Sequence, residues 1–152
     1  ANQIIAEHLD ARSFITMTYA VVDMRAMTIT YARAGHCPLM YRPGPATRDA
    51  RFEVRDAAGG RRQSAVAPAG RVQVQAPDGL VLGLTIDDGR RFNELLQEVT
   101  MPLCAGDLVL LFTDGVSDAM DAAGEPFGEE RLAAVIEEHG DLPFEELRER
   151  TA

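Results

Sequence analysis

With 152 residues, 46% of them hydrophobic and 26% charged, the chain has the length and composition of one globular domain with a real core. A formal net charge of −9 weighs against nucleic acid as a partner, because an acidic surface repels the phosphate backbone that dominates such binding. No apolar stretch approaches the roughly 20 residues that span a bilayer and no basic-then-apolar start resembles a signal peptide, so no membrane is expected and the expected location is cytoplasmic. The two cysteines, Cys37 and Cys104, lack CxxC or His-rich spacing, which argues against a disulfide framework or a zinc site and leaves them as small apolar residues. Between Arg42 and Gly79 seven arginines face four acids, whereas Asp107 to Ala152 carries thirteen acids against three arginines, so the functional question concentrates on the acidic end.

Residues 2–9, NQIIAEHL, place Ile4, Ile5 and Leu9 on one helical face, and the pattern breaks at Asp10 to Ser13, which predicts the end of a helix already in progress at the first residue. FITMTYAVVDM and TITYARAG, both rich in β-branched and aromatic residues, flank the turn DMRAM and predict a β-hairpin over about 14–34. Residues 42–79 hold four of the eight prolines; RFEVR and RVQVQ are expected to form an exposed hairpin there, with DAAGGRRQSAVAPAG as its mobile tip. LLQEVTMPL alternates Val99, Met101 and Leu103 on one face with Glu98 and Thr100 on the other, a strand pattern. A tight CAGD turn leads into LVLLF, whose unbroken apolar run predicts a central strand buried on both faces. GEERLAAVIEEHG carries Leu132, Val135 and Ile136 at helical spacing with Gly140 as the stop, and Asp141 then Pro143 begin another helix that is cut off at Ala152. Strands outnumber helices, antiparallel connections dominate and helices lie at both ends, so the expected fold class is α+β, an antiparallel β-sandwich flanked by helices.

Asp114 stands where the apolar strand ends. A carboxylate there must be capped, paired or metal-bound, since stranding it dehydrated costs several kcal/mol or forces protonation. One reading is a turn cap, with Asp114 accepting backbone N–H groups and Gly115 taking a left-handed angle; the other is a metal ligand. Asp118 and Asp121 either share that metal or are solvated loop acids. An EF-hand numbered from Asp114 fails, with Val116 at its third position and Ala119 where glycine is required. His36 lies in the strand-to-strand turn AGHCP and is expected to be a hydrogen-bonded structural residue. Cys37 beside it makes no thiol nucleophile, because neighbours on an extended chain point to opposite faces. His8 and His139 belong to the terminal helices and have no evident chemical partner.

Four segments in order, FITMTYAVVD, TITYARAGHCPLMY, GLVLGL and PLCAGDLVLLFTDGVSDAMDAAGEPFGEERL, resemble the SpoIIE-type branch of the PPM metal-dependent protein serine/threonine phosphatases. The last is the most specific: a GD turn, an apolar strand, TDG, an acid soon after, then FG and a helix. The resemblance spans nearly the whole chain except an Arg-rich insertion at about 43–75. It implies that Asp114 is a ligand in a site for two Mn2+ or Mg2+ ions, with Asp118 a secondary candidate and no catalytic role for His36. The residue type suits the chemistry: hard divalent cations prefer oxygen ligands, and ions roughly 3.5–4 Å apart activate a water for in-line attack on a phosphate.

The departures are as informative. The family's earlier motifs, a GDxxD-type strand and a DxSGxG-type turn that supply the other metal-binding aspartates, have no counterpart here, so the chain is expected to be an N-terminally incomplete, single PPM-like domain that is inactive alone. The parent would carry an N-terminal sensor or receiver domain and would hydrolyse phosphoserine or phosphothreonine on a regulatory protein such as an anti-sigma-factor antagonist. The alternative is a non-catalytic binding or scaffold module of the same fold. Sheet edges left uncovered invite self-association.

Overall fold

The structure, a computed structural model, describes residues 2–10, 12–47, 51–84 and 89–151. The chain forms two compact units, Ala1–Pro38 with Arg51–Ala65 and Ala76–Pro102, and Leu39–Ala50 with Val66–Gln75 and Leu103–Ala152. Each unit is built on its own antiparallel sheet, a mixed α+β fold. Among the described residues no helix is long and apolar enough to cross a membrane.

In the first unit, helix α1 (Asn2–Ala6) is shorter than the expected 2–9, because its last turn tightens: His8 N–H donates to the Ile5 carbonyl at 3.0 Å and the His8 ring Nδ1 meets the Ile4 carbonyl at 2.7 Å. Ile4 is exposed and Asn2 is buried instead, its Oδ1 accepting the Gly83 N–H at 2.8 Å. Strands β1 (Met17–Asp23) and β2 (Thr28–Ala34) form the expected hairpin. Its turn is closed by Asp23, whose Oδ1 accepts the N–H groups of Arg25 at 2.8 Å and Ala26 at 2.9 Å; these bonds, that of Ala26 foremost, hold its carboxyl below the usual range.

RFEVR and RVQVQ do not pair with each other. Strand β4 (Arg51–Asp56) pairs with β5 (Arg61–Ala65), which occupies the expected mobile tip. Asp56 explains the closure, since its Oδ1 accepts the Gly60 N–H at 2.7 Å across the four-residue turn. The RVQVQ segment contributes β6 (Gln73–Gln75) to the other sheet. After α2 (Arg90–Leu95) comes β7 (Gln97–Pro102), and it is this strand that lies at the centre of the five-stranded order β1-β2-β7-β4-β5. Val99 and Met101 are buried as their alternation predicts, alongside Ile29, Tyr31 and Phe52. Part of the Arg-rich stretch, residues 48–50, and TIDD, 85–88, lie outside the described residues.

In the second unit, β3 (Leu39–Arg42) is central, flanked by β6 and β8 (Leu108–Leu110). LVLLF is therefore not a central strand buried on both faces. Only its first three residues are strand, all half-buried; Leu111 is 50% exposed and Phe112 alone is buried. An apolar run reports the composition of a buried strand, but burial depends on neighbours, and among the described residues β8 has a partner on one side only. Helix α3 (Asp114–Ser117) follows, then α4 (Gly128–His139), which buries Leu132 and Ile136 as predicted, and α5 (Phe144–Thr151), which buries Leu147.

The α4 stop has a different cause from a left-handed glycine cap. Gly140 sits at φ −67°, and a Cβ there would stand 2.8 Å from the Arg42 side chain. Arg42 is buried and grips exposed Asp141 through two bonds, 3.0 and 2.7 Å, so glycine is needed to let the guanidinium stem pass. That pairing holds the Asp141 carboxyl below its usual range. On the same helix Glu137 accepts the Val72 N–H at 2.8 Å and pairs with Arg71 at 2.7 Å, which fixes the entry to β6.

Candidate functional site

The site is built by the 25 residues between β7 and α4, and the four aspartates in it meet different fates. Asp107 comes first, in the CAGD turn. Its Oδ1 accepts the Gly44 N–H at 2.7 Å and the Thr47 hydroxyl, and its Oδ2 accepts the Tyr41 hydroxyl and the Cys104 N–H, both at 2.7 Å. This half-buried carboxylate ties β3, the loop after it and the start of β8 into one cluster. Burial, with the adjoining Asp107 charge, pushes the Tyr41 hydroxyl well above its ordinary range. The cluster was invisible in sequence, where Asp107 signals only a turn.

From β8 the chain runs extended to Thr113 and then turns helical. Thr113 occupies the N-cap at φ −111° and ψ 162°, and the Asp114 carbonyl accepts the Asp118 N–H at 2.7 Å and the Ser117 hydroxyl at 3.2 Å. Of the two readings of Asp114, the turn cap does not form. Gly115 has no positive φ, and the exposed Asp114 carboxylate has no hydrogen-bond or ion-pair partner among the described residues. Asp118 follows four residues on, at the helix C-cap, so it falls on the same side of the turn; its carboxylate is likewise exposed and uncommitted among the described residues.

Asp121 is the turn cap of the four. Its Oδ1 accepts the N–H groups of Ala123 at 2.8 Å and Glu125 at 2.9 Å, and these bonds, that of Glu125 foremost, hold its carboxyl below the usual range. Beyond it, Val116, Ala119, Met120 and Phe127 line a hollow of about 430 Å³ with Arg131 and Arg150 at its polar side. Gly115, the residue after Asp114, is also part of the lining.

The donors present suit a hard divalent cation in kind, two free carboxylates one helical turn apart. They do not suit a two-metal centre in number: among the described residues no group of three or more His, Cys, Asp or Glu converges. No reaction step is therefore derived through a metal from these residues alone.

The other residues singled out in sequence fall elsewhere. His36 Nδ1 meets the Thr16 hydroxyl at 3.0 Å, a structural hydrogen bond as expected. Arg33 holds the AGH turn by donating to the His36 carbonyl at 2.6 Å and the Pro77 carbonyl at 3.0 Å. Gly35 is required there, at φ 64° and with a Cβ position only 2.2 Å from Val81 Cγ1. Cys37 and Cys104 are half-buried and not joined in a disulfide. Among the described residues His8 bonds within its own helical turn, and His139 lies 3.9 Å from Glu138.

Residues 1–151 match the family described as Stage II sporulation protein E (SpoIIE). The chain belongs to the SpoIIE family. It is also 32% identical over 140 residues to the phosphoserine phosphatase RsbU of Bacillus subtilis (strain 168), an alignment covering 91% of this chain and 32% of that protein. The chain thus spans about a third of the length of the curated relative it matches. No solved structure matches it. The SpoIIE family is of the PPM type that the TDG and AGH segments resemble, a family of metal-dependent phosphatases.

Proposed function

We propose that the protein containing this chain is a metal-dependent protein serine/threonine phosphatase, with Asp114 a ligand of Mn2+ or Mg2+ and Asp118 a secondary ligand. The observation that carries this reading is the state of Asp114: in a loop where Asp107 and Asp121 are taken up by backbone N–H groups, its carboxylate stands exposed and uncommitted. The short α3 turn fixes where that carboxylate begins, because its backbone is held from both ends, by Val116 N–H to the Thr113 carbonyl at 3.0 Å and by Asp118 N–H to its own carbonyl. A pair of divalent cations, when bound, supplies Lewis-acid chemistry for hydrolysing a phosphate ester. The remaining ligands would come from the part of the protein outside these residues, so this stretch alone would turn over negligibly. Phosphoserine is the favoured substrate group, given the activity named for RsbU, on a regulatory protein of the anti-sigma-factor-antagonist type.

The lack of a third converging ligand among the described residues favours a second reading, a binding module of the same fold. Asp114→Asn in the full-length protein separates the two. An exposed carboxylate without partners tolerates the amide at a stability cost within about 0.5 kcal/mol. As a metal ligand it loses the charge that offsets the cation, so kcat on p-nitrophenyl phosphate should fall by about a hundredfold and the Mn2+ titration should shift to higher concentration. Normal kcat with an unchanged titration would sink the ligand assignment; a wild-type protein without metal-dependent turnover would favour the binding module.

A further inference from the structure

We propose that the hollow lined by Val116, Met120 and Phe127 is a docking subsite for the phosphoprotein substrate, one that takes an apolar side chain next to an acidic one. The inference rests on the phosphatase reading and adds how the protein substrate is held. At about 430 Å³ the hollow has the size of a pocket for one large side chain and its neighbours. Its apolar wall is Val116, Ala119, Met120 and Phe127, and Met120 is 72% exposed, an unbranched thioether able to adapt to an incoming group.

Charge selects the neighbour. From Asp107 to Ala152 there are only three arginines among thirteen acids, and two of the three, Arg131 and Arg150, line this hollow. The acids that share the lining are already engaged: Asp121 with the N–H groups of its own loop, and Glu125 with Arg131 at 3.4 Å. Arg150 has no ion-pair partner among the described residues. A free guanidinium beside an apolar wall favours an acidic residue adjoining an apolar one and disfavours a basic one. Gly115, the residue after Asp114, is part of the lining, so a segment seated here would adjoin the turn that carries the metal ligand.

The test uses the full-length protein, p-nitrophenyl phosphate, and phosphoserine peptides with a Leu-Glu, Leu-Lys or Ser-Gln pair placed in turn at each position along the peptide. In the best register the Leu-Glu peptide should show a KM about tenfold below that of the Ser-Gln peptide. Met120→Asp should erase the difference, and Arg150→Glu should invert the preference toward Leu-Lys. Neither variant should alter turnover of p-nitrophenyl phosphate. Equal KM for all peptides in every register, unchanged KM in both variants, or an equal loss on the small ester would overturn the subsite. Fluorescence anisotropy on the same peptides reads the same order of affinities without turnover. If p-nitrophenyl phosphate is not hydrolysed by the wild type, the phosphatase reading fails, while the anisotropy still decides for or against the hollow.

Discussion

Replacing Asp107 should weaken the fold in a graded way that its four donors dictate. Each carboxylate oxygen accepts one backbone N–H, of Gly44 or Cys104, and one hydroxyl, of Thr47 or Tyr41. Asp107→Asn keeps one oxygen and sets an NH2 group in place of the other. Whichever way the amide turns, the hydroxyl on the NH2 side rotates to accept, but the backbone N–H on that side has no such freedom and loses its acceptor. One orphaned N–H, with the loss of charge assistance in the remaining bonds, costs about 2 kcal/mol. Asp107→Ala removes the acceptor of all four donors; the neighbouring Tyr41 and Thr47 hydroxyls can pair with each other, but the Gly44 and Cys104 N–H groups lose their acceptor, and at about 2 kcal/mol each a loss of about 4 kcal/mol is expected. At roughly 2–4 °C per kcal/mol for a chain of this size, Tm should fall by about 4–8 °C and 8–16 °C respectively. Urea unfolding followed by circular dichroism measures both. An Asn variant as damaged as the Ala variant, or an Ala variant within about 1 kcal/mol of wild type, would refute the donor accounting.

Other perturbations test separate parts of the structure. Gly35→Ala combines a left-handed backbone angle with a collision against Val81, so a loss of about 2–4 kcal/mol is expected in the same unfolding assay; an unaffected variant would mean that the AGH turn can open. The Tyr41 hydroxyl titrates higher in the folded protein than the ordinary value of about 10, so its contribution is complete below that pH and is lost as pH rises through the folded value. Tyr41→Phe should therefore flatten the alkaline limb of a stability profile. The carboxyl of Asp141 is held low, so its contribution is complete above the ordinary aspartate range and is lost as pH falls; Asp141→Asn should flatten the acid limb. The outer edge of β1 has no strand partner among the described residues and exposes Met17, Tyr19, Val21 and Val22, so sedimentation should show mass rising with concentration, reduced by Val21→Lys. A strict monomer at every concentration would count against that edge.

The α4 helix and the β1–β2 hairpin were legible because each depends on its own periodicity: Leu132 and Ile136 share a helical face, and the hairpin turn is closed by Asp23 within three residues. Partner choice was not legible. RFEVR and RVQVQ alternate alike, yet alternation says which face is apolar and nothing of which strand lies alongside; the Asp56 turn settled it locally in favour of Arg61–Ala65. The burial of LVLLF failed for the related reason that a run of apolar residues does not supply its own neighbours. At the site, Asp114 stood out in sequence by its place at the end of that run and by the TDG resemblance. What separates it from Asp107 and Asp121 is the supply of backbone donors, and that depends on loops folding back, such as the one that brings Gly44 to Asp107.

That difference in donors also divides stability from function within one short stretch. Asp107 and Asp121 are each satisfied by N–H groups of the chain, so their negative charge is spent on local order, and losing it should unsettle the loops they hold. Asp114 contributes no such bond, and its place in the first turn of the four-residue α3 favours a carboxylate over a neutral polar residue by only a few tenths of a kcal/mol. Asp114→Asn and Asp107→Ala should therefore fail in opposite ways, the first folding with impaired metal-dependent turnover and the second losing Tm, with any loss of turnover following the loss of folded protein. If both variants lost stability together, Asp114 would belong to the same scaffold as Asp107, and the free carboxylate would no longer support a metal ligand.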